Sequence, residues 1–291
     1  MDRVYWVDAQ SNVFELAEEA GIYILGRTGF GMADANVYTE QVPGVDGAYY
    51  LGHIVEPRKL RLALALTADD DTSINALRRQ LVGVFRRNKG MGTLRVVKPS
   101  GTTYEIRALL QDGLSFDTPS GLGPWGLKDT LTLLCPFPFW RNANAEETVT
   151  NLGTGAVFTF PATVPASFGA GESVSNIAMV NPGDRAAPLH VELANACQNP
   201  KISNLTTGKF VQVSLTLAAG ERLRVKTGTW DCEVVKVAAG GAETNVLGYL
   251  TDASDLVGLM AEPGNNTFKV EATSVNGLVT TIRFFPLYCG I

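Results

Sequence analysis

Histidine is the side chain best suited to proton transfer near neutral pH, and this chain has only 2 of them. His53 lies in the segment AYYLGHIVEP, and His190 alternates with apolar neighbours on a predicted strand. Neither has a second histidine at metal-ligand spacing, and no GxSxG sequence offers a serine that either could activate. A hydrolase would have to recruit one of the two. We therefore interpret both as surface or interface residues and predict a protein without enzymatic activity, with no catalytic, cofactor or metal site.

Two other local patterns could bind ions. The run Asp69–Asp71 lacks the alternating acidic register and the distal glutamate of a calcium-binding loop, so we interpret it as the cap of a helix. The glycine pairs Gly29–Gly31 and Gly121–Gly123 are not followed by a helix that could aim its N-terminus at a phosphate. We therefore expect both pairs to form flexible loops.

Cysteine and tryptophan leave alternatives open. The 4 cysteines form no CxxC pair and are interpreted as buried thiols, with a disulfide or a metal site as the alternative; they are Cys135, Cys197, Cys232 and Cys289.

Trp125 and Trp230 lie near predicted turns, where a sugar-binding protein could place stacking rings. Tryptophans on strands more often belong to a core. A monomeric β-sandwich that binds carbohydrate or mediates host adhesion is therefore the alternative function.

Composition limits the partners. Of 291 residues, 45% are apolar and 18% are charged, against about 25% charged in an ordinary domain. Such a surface suits a subunit that packs against copies of itself. The net charge of −5 lacks the basic footprint of a nucleic-acid-binding protein. No apolar run is long enough to span a membrane, and MDRVYWVDAQ has no secretory signal pattern, so we expect no membrane insertion and no export.

The elements that would position these residues are mostly strands. Leucines alternate with other residues from Leu60 to Leu66, and similar period-two runs recur near Tyr104, Leu189 and Val211. One helix is predicted from Thr72 to Arg87, because its apolar residues recur at helical spacing. The sequence thus predicts a mainly β protein with one helix.

Turn signals predict how the strands connect. Pro99–Gly101 should close one hairpin, and Asn276–Gly277, which suits the positive φ of a type I′ turn, should close another. Prolines after Cys135 end a strand, and a polar segment follows. We therefore predict two domains, residues 1–145 and 146–291, with the second a β-sandwich.

Ordered motifs extend over nearly the whole chain. They are VPGVDGAYYLG at 42–52, CPFPFW at 135–140, NPGD at 181–184, NPKISNLTTGK at 199–209, AAGERLRVKT at 218–227, EPGNNTF at 262–268 and FFPLYCGI at 284–291. With these motifs in this order and spacing, the chain resembles the distal tail protein family of bacteriophages with long, non-contractile tails.

The resemblance implies a structural role. Residues 1–145 would be a β-rich belt domain with one helix that builds a ring, usually of six subunits, continuing the tail tube. Residues 146–291 would be a galectin-like β-sandwich. The implied partners are copies of the chain, the tail tube protein, the tail hub or tip protein, and receptor-binding or side-fibre proteins. DNA would pass through the lumen without specific binding. The resemblance places the protein at the tail tip of a virion assembled in the bacterial cytoplasm.

Overall fold

The computed structural model describes residues 2–117, 125–152 and 173–291. Most of the described residues lie in strands and few are helical, which confirms the prediction of a mainly β fold. Among these residues the single α-helix, α1, spans Asp71–Val84, and three short 3₁₀ turns span Glu18–Ala20, Arg87–Lys89 and Leu247–Tyr249.

The strands are numbered in chain order. Before α1 they are β1 (Arg3–Val7), β2 (Val13–Glu15), β3 (Ile22–Thr28), β4 (Ala35–Glu40), β5 (Tyr49–Val55) and β6 (Arg58–Thr67). Between α1 and residue 153 they are β7 (Gly92–Val97), β8 (Thr103–Leu110), β9 (Gly126–Cys135), β10 (Trp140–Asn142) and β11 (Glu146–Leu152). After residue 172 they are β12 (Ser173–Asn181), β13 (Ala187–Asn204), β14 (Lys209–Gln212), β15 (Thr216–Leu217), β16 (Arg222–Lys226), β17 (Glu233–Val237), β18 (Glu243–Asn245), β19 (Met260–Ala261), β20 (Gly264–Phe284) and β21 (Leu287–Tyr288).

The chain divides into two compact units. The first comprises Met1–Ala143 together with Tyr288–Ile291, and the second comprises Asn144–Leu287. The sequence-based scheme assigned every residue after 145 to the second domain. The structure differs at the C-terminus, because the last four residues pack with the first unit.

The first unit is built on an antiparallel sheet in the order β2-β1-β7-β8-β9-β6-β3. The alternation predicted for β6 is present: Leu60, Leu62, Leu64 and Leu66 are all buried. The apolar side of α1, with Ile74, Leu77 and Leu81, belongs to the same core. The predicted turn at Pro99–Gly101 joins β7 to β8, and Gly101 has the positive φ of 86° that the turn needs.

The limits of α1 follow from its end residues. The Asp70 side chain accepts a hydrogen bond from the Ser73 backbone N–H at 2.7 Å, which confirms the predicted cap. The helix ends at Val84, three residues before the predicted end at Arg87. Phe85 leaves the helical conformation and packs its buried ring 5.0 Å from the ring of Trp6. The helix therefore ends before the basic residues that follow.

In the second unit, two long strands hold a ten-stranded network together. β13 and β20 pair antiparallel along their length. β11 and β16 flank one half of this pair, and β12 and β14 flank the other. The predicted hairpin at Asn276–Gly277 is wrong, because these residues lie inside β20. The pairing of β13 with β20 shifts register between Ala194 and Lys201, opposite these two residues. Asn276 and Gly277 therefore lie in an irregular stretch of a continuous strand rather than in a turn.

Candidate assembly surfaces

An exposed hairpin is the most unusual feature of the first unit. β4 and β5 form a separate two-stranded antiparallel sheet, joined by the loop 41–48. Within the described ranges, neither strand pairs with any other strand. We call residues 35–55 the arm. All six residues of β4 are exposed, and no residue of β5 is fully buried.

The arm is nevertheless rich in apolar and aromatic side chains. Eight large ones are between 42% and 63% exposed: Val37, Tyr38, Val42, Val45, Tyr49, Tyr50, Leu51 and Ile54. A lone two-stranded hairpin is only marginally stable in water, and concentrated exposed apolar residues mark an interaction surface. The arm therefore has the properties of a segment that is covered in an assembly.

Both faces of the arm carry such residues. In an antiparallel pair, opposed residues share a face and successive residues alternate. The register therefore groups large side chains into two sets, Val37, Tyr50 and His53 on one face and Tyr38, Tyr49 and Ile54 on the other. A partner that covered one face would leave the second exposed, so the arm is built to lie between two surfaces.

The solvent side of α1 has the opposite character. A shallow groove, which we call the basic groove, is lined by Asn75, Arg78, Arg79, Val82, Gly83 and Arg86. Arg78 stacks over the Phe116 ring, with its guanidinium carbon 5.2 Å from the ring centre. Arg79 and Arg86 make no ion pair within the part of the chain that the structure describes. The groove thus presents cations that intramolecular partners leave available.

The base of the arm is fixed by Arg58, the first residue of β6. This buried guanidinium donates to the carbonyl oxygens of Pro138 at 2.7 Å, Gly29 at 2.7 Å and Cys289 at 2.5 Å, and also to that of Gly31. Burial lowers the pKa of Arg58 from its ordinary value. Four carbonyl dipoles stabilise the charge in place of a carboxylate.

The first two residues of the loop Gly29–Gly31 are tightly packed. A Cβ on Gly29 would lie 2.1 Å from the Lys59 carbonyl oxygen, and the ring of Phe30 between the two glycines is buried. Close packing, rather than the flexibility we expected from the sequence, explains the glycine here. The second predicted loop, Gly121–Gly123, lies outside the described residues.

A buried carboxylate ties the middle strands together. Glu105 on β8 accepts hydrogen bonds from Arg141 at 2.6 Å and Arg95 at 2.9 Å. Burial by itself would raise the pKa of Glu105, but the hydrogen bonds and charges of the two arginines outweigh it and lower the pKa. This group is a structural ion cluster that links β7, β8 and β10.

The two histidines lie in different units. His53 lies on the arm in the first unit, with its Nδ1 in hydrogen-bond contact with the Tyr50 hydroxyl. His190 lies on β13 in the second unit, where its ring is 6.1 Å from the Phe285 ring. Among the described residues there is no group of three metal-ligating side chains, and no helix is long and apolar enough to cross a bilayer.

The remaining predicted residues divide by exposure. Cys135 and Cys197 are buried free thiols as predicted, and burial raises their pKa values to about 12 and about 11. The prediction of a buried thiol is wrong for Cys232, which is exposed on a loop, and Cys289 is half-buried. Trp230 is 79% exposed and Trp125 is 38% exposed.

Sequence reasoning missed the arm as a hairpin. Its alternation is broken at Leu51, where the register shifts, so no strict period-two run appears. A signal was present in the charge pattern, because residues 28–57 contain neither Lys nor Arg although they include many apolar residues. Depletion of lysine and enrichment in tyrosine are typical of the core of a protein interface.

Both units match families of phage tail proteins. Residues 7–116 match the phage tail protein RIFT-related domain, and residues 182–288 match the C-terminal domain of the siphovirus-type tail component. The chain belongs to the siphophage distal tail protein family. No curated protein sequence matches it.

Solved structures show the same fold as this distal tail protein. The Dit protein of phage SPP1, described as a hub of the adsorption apparatus in phages that infect Gram-positive bacteria, has 14% identity and a TM-score of 0.69, with 99% of each chain covered. A chain of the phage p2 baseplate in its activated conformation has 11% identity and a TM-score of 0.54, with 98% of each chain covered. These likenesses concern the fold, and the two family matches support a structural role in a phage tail.

Proposed function

We propose that this distal tail protein assembles into a closed ring of six copies at the tip of the tail. Residues 1–145 would act as the ring-forming belt domain and residues 146–291 as the galectin-like domain. The observation that carries the proposal is the arm, whose two faces both expose large apolar side chains. A protruding hairpin of this kind needs a neighbouring subunit to cover it.

Ring closure requires two different surfaces on each subunit. In a head-to-tail contact, a patch on one copy meets a distinct patch on the next, and the ring closes when the rotation divides a full turn. The arm and the remainder of the first unit supply such unlike surfaces. The low charged fraction of 18% fits a subunit with extensive interfaces.

The ring would continue the tail tube and hold the proteins that contact the host. Its partners would be the tail tube protein, the tail hub or tip protein, and receptor-binding or side-fibre proteins. DNA would pass through its lumen without specific binding, because the net charge of −5 offers no excess of cations to retain phosphates. The protein would assemble in the bacterial cytoplasm and reside in the virion tail, without enzymatic activity.

The test is the mass of the purified protein by light scattering, combined with negative-stain images. We expect a particle of six times 31.1 kDa with a central hole. A protein that stays monomeric both alone and with purified tail tube protein would contradict the ring.

A matched pair of variants tests the role of the arm. Val37 on the arm is 59% exposed, and Val180 on β12 of the second unit is 57% exposed. Val37→Ser should shift the particles toward monomer because it removes buried interface area, whereas Val180→Ser should leave the ring intact. If the two variants assembled equally well, the arm would not contribute to ring assembly.

Carbohydrate binding is a second candidate, favoured by one observation. Trp230 is 79% exposed, which is unusual for so large an apolar ring and suits stacking on a sugar. A glycan screen with the intact protein tests this function. Binding that is lost in Trp230→Ala and kept in Trp125→Ala would support it.

A further inference from the structure

The arm is acidic as well as apolar. Residues 28–57 include four carboxylates and neither lysine nor arginine; the carboxylates are Asp34, Glu40, Asp46 and Glu56. We define the arm tip as residues 40–49. Its two carboxylates, Glu40 and Asp46, are exposed and make no ion pair within the described ranges. Val42 and Val45 lie between them and are 42% and 58% exposed.

The basic groove is complementary in charge and in apolar character. From Thr72 to Lys89 the chain has five cations and no carboxylate. Lys89 is engaged with Asp8 at 3.0 Å, whereas Arg79 and Arg86 are not paired within the described residues. Val82 lies between these arginines along the helix and is 46% exposed.

Gly83 leaves room in the groove. A Cβ built on this residue would meet no heavy atom within 4 Å, so the helix surface is open there. Glycine inside a helix costs about 1 kcal/mol relative to alanine. The fold does not need a glycine at this half-buried position, because an added Cβ would clash with nothing, and the missing side chain lowers the helix surface between the two arginines.

We propose that the arm tip of one subunit docks in the basic groove of the next subunit in the ring. Glu40 and Asp46 would face Arg79 and Arg86, and the valines of the tip would cover Val82 and Gly83. This inference rests on the proposed ring and names its contact surfaces. Exposed ion pairs add little affinity, so the apolar residues provide adhesion, whereas the charges select the partner surface and its orientation.

Charge reversal tests the contact. Glu40→Lys with Asp46→Lys on the arm, and Arg79→Glu with Arg86→Glu in the groove, should each lower the association constant at least about tenfold, because each places like charges together. The four substitutions combined should restore assembly, since opposite charges meet again. Sedimentation velocity at low salt measures the ring fraction of all four proteins.

A substitution at Gly83 provides a second, independent test. Gly83→Gln should raise the thermal midpoint of unfolding, because it removes a helical glycine, and should weaken ring assembly, because it fills the groove. A structural role of the helix alone would move both quantities in the same direction. The opposite changes are therefore specific to docking.

The outcomes separate this inference from the proposed ring. If the wild type forms rings and the charge-reversed proteins form them equally well, the docking contact is wrong and the ring stands. If both reversals disrupt assembly and their combination fails to restore it, the two surfaces are not partners. If Glu18→Lys with Glu19→Lys disrupts assembly and the groove reversal rescues that protein, the groove receives the Glu18–Ala20 turn instead. A wild type without rings overturns both proposals.

Discussion

The Arg58 guanidinium donates to the Cys289 carbonyl oxygen at 2.5 Å, joining residues 231 positions apart in the sequence. The contact lies within the first unit, because Tyr288–Ile291 belongs to it. Next to it, the Ile291 backbone N–H donates to the Phe30 carbonyl oxygen at 3.0 Å. The first unit therefore consists of two separate chain segments that meet around one buried cation.

Replacing Arg58 should destabilise the first unit. Arg58→Met keeps an unbranched side chain but leaves four carbonyl oxygens without their donor, so we expect a loss of about 3–5 kcal/mol in the free energy of unfolding. Arg61→Met is the control, because Arg61 lies on the same strand and is exposed; it should change the free energy by about 0.5 kcal/mol or less. Urea denaturation of both variants measures the difference. Equal losses would show that the carbonyl cluster contributes no special stability.

The C-terminal segment offers a steric test of the same junction. A Cβ on Gly290 would lie 2.8 Å from the Gly31 carbonyl carbon, which is closer than real Cβ contacts allow. Gly290→Ala should therefore displace the end of the chain and lower the thermal midpoint of the first unit. Gly26→Ala is the matched control in that unit, because its Cβ would meet nothing within 4 Å. A normal midpoint for Gly290→Ala would show that the segment can detach without cost.

The contact between Arg58 and the C-terminal residues should also affect the stability of a truncated chain. A shortened chain that ends near residue 150 lacks Tyr288–Ile291 and leaves Arg58 with fewer acceptors. We expect such a belt fragment to be less stable than the first unit of the full chain. Adding a linker and the last four residues should recover part of the loss, as measured by urea denaturation. A fragment as stable without them would contradict this expectation.

Acid should weaken the turn around Asp8. Hydrogen bonds from Asn12, followed by those from Lys89 and Gln10, lower the pKa of Asp8 to about 2 against the tendency of burial to raise it. A carboxyl whose pKa is lower in the folded state stabilises the fold above its unfolded pKa, and this contribution is lost as the pH falls from about 4 to about 2. Asp8→Asn should flatten that part of the stability–pH curve. An unchanged slope between pH 4 and pH 2 would contradict the assignment.

Local signals in the sequence were sufficient wherever one strand face or one helix end decides the structure. The leucines of β6 alternate because one face covers a core, and Asp70 caps α1 because its side chain reaches the Ser73 N–H. The same reasoning wrongly predicted a hairpin at Asn276–Gly277, because the pairing of β20 with β13 along its length overrides a two-residue turn preference. Long-range pairing is not visible in a local pattern.

The candidate surfaces were harder to predict for a related reason. The arm has no core, so it leaves no pattern of buried positions for periodicity to detect. Arg58 looked like an ordinary charged residue at a strand end, since its four acceptors come from distant parts of the chain. Every residue has a backbone carbonyl, so the sequence does not show which carbonyls will accept hydrogen bonds from Arg58.

Two neighbouring residues of α1 give a test of the helix packing. Leu81 is 1% exposed in the core and Val82 is 46% exposed in the basic groove. Leu81→Asp should prevent folding of the first unit, because an unpaired charge in a core costs several kcal/mol. Val82→Asp should leave folding intact and, by placing a carboxylate between Arg79 and Arg86, change only assembly. Circular dichroism and soluble yield distinguish the two variants, and a soluble, normally folded Leu81→Asp protein would show that the apolar side of the helix is assigned incorrectly.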